Sequence, residues 1–166
     1  DKLIITLCDL PYDPKYFHGV QYPDNVRKTL RYHLHLLKWL EQVCRKTGSK
    51  LMLVVQHRVN KYVREEKSRK PFRTLPREAE LDLRKSCVLV EEILGYLKDE
   101  SVVYGIAVGS LCVNKKPTLI ALIVNYVGEY FRKWPIHGFG VHVGCIQYLS
   151  EDVRSRFSID STGWTR

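Results

Sequence analysis

Apolar positions along this chain recur at two different spacings, and the changes from one to the other predict its elements. Leu3–Cys8 is a short, nearly all-apolar run, the pattern of a strand covered on both faces. From Val26 the spacing lengthens, with Leu30, Leu34, Leu37 and Cys44 returning at mostly three- and four-residue intervals and Leu36, Trp39 and Leu40 widening the stripe. Asp24 stands where a carboxylate accepts the free amides of a first turn. Arg45, Lys46 and Gly48 supply cations in a last turn and then a residue free to adopt positive φ. A long helix over 24–46 is predicted. Leu51–His57 is a second strand, apolar on both faces, so strand, helix and strand together predict a βαβ crossover with a parallel pair.

Residues 58–78 lack sustained apolar periodicity and read as an exposed excursion. A second long helix over 76–98 follows, with Ala79, Leu83, Cys87, Val90, Leu94 and Leu97 on one face and Glu78, Glu80 and Asp82 near its amino end. Ser101–Val113 and Thr118–Val127 then look like two strands joined across the turn-like Asn114–Pro117, a β-hairpin. Gly105, Ala107 and Gly109 share one face of the first of these, leaving room for a helix backbone or a ligand to approach the sheet. Val141–Leu149 alternates as a fifth strand, and Ser150 is placed to cap a short final helix. The fold class expected is α/β or α+β: a mixed sheet of about five strands covered by two long helices, with a hairpin in the carboxyl-terminal half.

Composition narrows this reading. With 166 residues, 45% hydrophobic and 27% charged, the chain has the size and apolar content of a single domain (1–166) and is not disordered throughout. No apolar run approaches the roughly 20 residues needed to cross a bilayer, so no transmembrane segment is expected. The chain begins at Asp1 without an initiator Met, which suggests excision from a longer protein whose other domains would be its neighbours. Cys8, Cys44, Cys87, Cys112 and Cys145 are widely spaced in or beside apolar segments, without CxxC or Cys–His zinc spacing. Five reduced, mostly shielded thiols and an intracellular setting, nucleus or cytoplasm, are the expectation.

Charge supplies the main functional clue. Between Arg45 and Arg77 eleven Lys and Arg face only Glu65 and Glu66, a local excess equal to the +9 net charge of the whole chain. Lys61, Arg64, Lys67, Arg69, Lys70 and Arg73 place six cations within thirteen positions of an exposed basic loop, 58–75. Such a loop can follow phosphates without reading bases, so a non-catalytic nucleic-acid-binding module is expected. RNA is favoured, since no recognition helix is evident and Tyr12, Tyr16, Phe17, Tyr22, Trp134 and Trp164 occur in loop or tail contexts suited to base stacking. An acidic protein surface is the alternative partner for the same basic loop.

Signatures of catalysis are incomplete. Phosphate-binding glycine motifs, GxSxG, HExxH and zinc-deaminase spacing do not occur, and Gly105–Ser110 lies inside strand periodicity. His137, His142 and Cys145 are close in sequence, but on a strand His142 and Cys145 would face opposite sides, so no metal site is expected. The enzyme alternative joins Asp9 and Asp13, after the first strand, with His57, at the end of the second. If those strands are parallel the three approach one sheet edge, where two carboxylates holding Mg²⁺ and an imidazole base would form a metal-dependent phosphodiesterase or nuclease. For the binding reading no cofactor is expected.

Overall fold

A computed structural model describes residues 3–6, 22–63, 71–112, 114 and 116–160, with the backbone alone for 22–33 and 35. In chain order the elements are β1 (Ile4–Thr6), α1 (Tyr22–Thr47), β2 (Lys50–Val55), α2 (Val59–Tyr62), α3 (Arg77–Tyr96), β3 (Val103–Val108), α4 (Pro117–Tyr130), β4 (Ile136–Gly138), α5 (Glu151–Ser155) and β5 (Phe157–Ile159). The strands form one sheet in the order β1-β2-β3-β4-β5, and every neighbouring pair is parallel. No described helix is long and apolar enough to cross a membrane.

The order never reverses, and that decides the layering. Crossovers of one hand that always step the same way leave every helix on the same face of the sheet. Accordingly Leu37, Leu40 and Cys44 of α1, Leu83, Cys87 and Val90 of α3, Ile120, Ile123 and Val124 of α4 and Val153 of α5 share one core with Leu51, Leu53, Val55, Ile106, Val108 and Ile136 of the strands. The alternate residues of those strands turn the other way, and Met52, Val54 and Ala107 make a second, small apolar cluster joined by Phe139. The same sequential parallel order occurs in (β/α) barrels, whose chemistry sits at the carboxyl ends of the strands.

Both long helices and the βαβ crossover stand where the apolar periods put them, and β1 and β2 are parallel. The sheet, however, is wholly parallel, not mixed, and three long helices cover it, not two. Thr118–Val127 belongs to α4, so the hairpin does not exist. Leu119, Ile120, Ala121, Ile123, Val124, Val127 and Gly128 are buried, and the partly exposed face sets the apolar Leu122 and the aromatic Tyr126 beside Thr118 and Asn125, which leaves little polar contrast to distinguish helix from strand. Pro117 sits at the first helical turn, where its missing N–H removes nothing.

Val141–Leu149 is likewise not a strand. It contains a 3₁₀ turn over Val143–Tyr148, entered where His142 Nδ1 accepts from Gly144 N at 3.0 Å. The real last strands, β4 and β5, have three residues each, too few to show an alternation. Ser150 does precede α5, though without a side-chain cap.

Gly105 and Gly109 are approached closely, by strand and side chain. A Cβ on Gly105 would lie 2.6 Å from the Pro135 carbonyl oxygen, which accepts from Ile106 N at 2.9 Å; a Cβ on Gly109 would lie 2.5 Å from the Gln56 amide. Cys44, Cys87 and Cys145 are buried free thiols and Cys112 is exposed; Cys8 is outside the described residues. Burial pushes the Cys87 thiol up to about 12 and Cys145 up to about 11.

Candidate functional site at the carboxyl edge of the sheet

Parallel strands in sequential order bring all their carboxyl ends to one edge, and on the face away from the helices the register aligns side chains in rows. Val54 pairs with Ala107, Ala107 with His137 and His137 with Ser158. The next row outward continues the ladder, since Gly109 N donates to Val55 O, Phe139 N to Val108 O and Asp160 N to Gly138 O. It holds Gln56, Gly109, Phe139 and Asp160. The first row thus passes from apolar at β2 and β3 to polar at β4 and β5, whereas the outer row is polar at its two ends, Gln56 and Asp160.

These polar groups are tied together locally. His137 Nδ1 and Ser158 Oγ are 2.9 Å apart, and Phe139 meets the His137 ring edge-on with centroids 4.9 Å apart. Burial lowers the His137 pKa, with Asp160 pulling it back upward, which favours the neutral imidazole. Asp160 Oδ1 accepts from Gly140 N at 2.6 Å, and Gly140 has the positive φ (63°) that this turn requires.

On the β2–β3 side Ser110 Oγ donates to Gln56 Oε1 at 2.5 Å. Ser110 itself has φ 55°, the one positive φ among described non-glycine residues. A left-handed serine costs about 1 kcal/mol or more, and this one sits at the strand end where ligands of parallel sheets bind. Hydroxyls, an amide, a neutral imidazole and one carboxylate make an edge suited to hydrogen-bonding a polar ligand.

Of the sequence candidates, His57 lies at this edge but turns inward. It is 1% exposed, its Nδ1 accepts from Val59 N at 3.4 Å, and its Nε2 is buried without a hydrogen-bond partner. Burial holds its pKa down to about 4 against the opposing pull of Asp82 and the nearby Gly109 backbone. Asp9 and Asp13, its proposed partners, lie outside the described residues. Among the described residues no group of three or more His, Cys, Asp or Glu is placed to hold a metal ion.

The basic loop begins at the same edge. Asp82 of α3, itself buried, accepts from Arg58 N at 2.9 Å and pairs with the Arg58 guanidinium at 3.1 Å, fixing the root of the segment. Lys61 is exposed at the end of α2, with its ammonium 6.0 Å from the Tyr62 ring centroid. Arg64, Lys67, Arg69 and Lys70 lie outside the described residues, as do Tyr12, Tyr16, Phe17 and Trp164. Where the chain returns, Phe72 N donates to Thr118 Oγ1 at 3.2 Å and Lys116 sits 4.8 Å above the Phe72 ring. Arg73 is exposed beside this anchor. Both ends of the basic loop are thus pinned near the amino ends of α3 and α4.

Gln56, Ser110, His137, Ser158 and Asp160 were not legible as one site in the sequence. Their only signal is that all five fall within two residues of a strand's last apolar position, which is usable once the strand ends are known. Comparison with known protein families and with curated protein sequences finds no match.

Proposed function

We propose that this domain binds nucleic acid, RNA in preference to DNA, through Lys61, Arg64, Lys67, Arg69, Lys70 and Arg73, without catalysis by those residues. The observation that carries the reading is the position of the basic loop: it leaves the sheet at the carboxyl end of β2 and rejoins beside the amino end of α4. Its two described cations, Lys61 and Arg73, are exposed where the loop leaves and rejoins that edge, which also carries the polar row. Phosphates would be held by the loop while bases or sugars meet the hydroxyl, amide and imidazole groups behind it. Unpaired RNA suits this better than duplex DNA, because the described edge offers shallow polar groups and no projecting helix to enter a groove.

The test is a salt titration of binding to mixed-sequence single-stranded RNA and duplex DNA. It compares the natural chain with a Lys67→Ala/Arg69→Ala/Lys70→Ala/Arg73→Ala variant. Each lost phosphate contact lowers the log–log salt slope by about 0.7 for a single strand, so losing all four lowers it by up to about 3. Failure to bind at low salt, or a slope untouched by the four changes, refutes the proposal and favours an acidic protein partner for the loop.

A further inference from the structure

At the opposite, amino-terminal side of the molecule, α1, the end of α3 and the residues just after it line a half-open cavity of about 320 Å³ formed by Leu34, Leu37, Lys38, Glu41, Tyr96 and Lys98. Glu41 is 5% exposed, and its Oε1 is buried without a hydrogen-bond partner. Glu41 makes no ion pair among the described residues, whose carboxylates pair at Asp99, Asp82, Glu100 and Asp152. Removing a carboxylate from water without a partner is costly, and the usual remedies are a cation or a set of donors. Here the wall beside it is apolar, from Leu34, Leu37 and the Tyr96 ring, while Lys38 and Lys98 are exposed on the same lining.

We propose that this cavity binds a free α-amino acid with an aliphatic side chain, of about the size of leucine. The ammonium pairs with Glu41, the carboxylate with Lys38 and Lys98, and the side chain lies on Leu34, Leu37 and Tyr96. Charge selects a zwitterion: a simple amine would satisfy Glu41 but meet two lysines of its own sign, and a simple acid would satisfy the lysines but meet Glu41. Size agrees, since 320 Å³ is at the small end of ligand sites and holds about ten groups of water's ~30 Å³ share. The site is independent of the nucleic-acid reading, because it uses no residue of the basic loop or the polar row.

Isothermal titration calorimetry on the full chain with L-leucine, isoamylamine and 4-methylpentanoate tests it. The last two are leucine without its carboxylate and without its ammonium, respectively. Leucine is expected to bind with Kd below ~1 mM, and each half-ligand at least tenfold more weakly. Glu41→Gln, nearly isosteric, is expected to weaken leucine at least tenfold while a thermal melt shows the fold retained. Lys98→Ala, at an exposed position, is expected to weaken leucine but not isoamylamine, which separates ligand contact from any effect on folding. No leucine binding, equal binding by 4-methylpentanoate, or leucine binding unchanged in Glu41→Gln overturns the proposal.

Discussion

Arg156 joins three parts of the fold, and truncating it is expected to be among the more damaging single changes near the polar row. Its guanidinium donates to Phe131 O at 3.1 Å and Trp134 O at 2.6 Å through one nitrogen, and to Gly128 O at 2.6 Å and Asp152 Oδ2 at 2.9 Å through another. Gly128 and Phe131 are at the end of α4, where helix carbonyls lack intrahelical donors, and Trp134 leads into β4. One planar cation therefore caps α4 and fixes the approach to β4 from the residue before β5. The Arg156 backbone carbonyl accepts from Ile136 N at 3.0 Å, beside the β4–β5 pairing that puts His137 against Ser158.

The Arg156 side chain is 16% exposed, so water recovers little of what is lost, whereas the Asp152 side chain is 69% exposed and its pairing adds little. Three bonds to carbonyls at about 1 kcal/mol each give about 3 kcal/mol for Arg156→Ala, a fall in Tm of about 6–12 °C for a domain of this size. Asp152→Asn is expected to cost below about 0.5 kcal/mol. Arg156→Lys should lose about half as much as Ala, because an ammonium keeps the charge but not the planar fork. Urea denaturation followed by circular dichroism measures all three. A cost below about 1 kcal/mol for Arg156→Ala, or equal costs for Arg156→Ala and Asp152→Asn, would refute the reasoning.

Two further outcomes follow from burial. His57 titrates near 4 in the folded chain and near 6.5 when unfolded, so between those values the unfolded chain holds a proton that the folded chain does not. Its contribution to stability is complete above pH 6.5 and is lost as pH falls toward 4, by about 3 kcal/mol at 1.36 kcal/mol per pH unit. Urea melts at pH 7 and pH 4.5 should show a smaller acid loss in His57→Gln than in the natural chain; equal losses would refute this. Among the described cysteines, native iodoacetamide labelling followed by mass spectrometry should modify the exposed Cys112 first, with Cys44, Cys87 and Cys145 reacting only after denaturation. Early labelling of Cys87, whose thiol is held near 12 and shielded by α3, would show that α3 opens readily.

What the sequence determined by itself was local. The three- and four-residue returns of Leu34, Leu37 and Cys44, and of Ala79, Leu83, Cys87 and Val90, identify α1 and α3 because one face of each is buried and the other is wet. The concentration of cations in 58–77 is likewise a property of the chain, and the structure adds only the edge from which that segment starts and to which it returns. Tertiary structure decided the rest. The partly exposed face of Thr118–Val127 carries Leu122 and Tyr126 among its residues, which weakens the contrast that separates helix from strand. β4 and β5 are three residues long and are strands only because neighbours supply their hydrogen bonds. The polar row depends on both: Gln56, Ser110, His137, Ser158 and Asp160 span more than a hundred positions and converge only when four parallel strands, β2 to β5, fix a common register. No local pattern encodes that convergence, because register is set by packing between segments and not within any one of them.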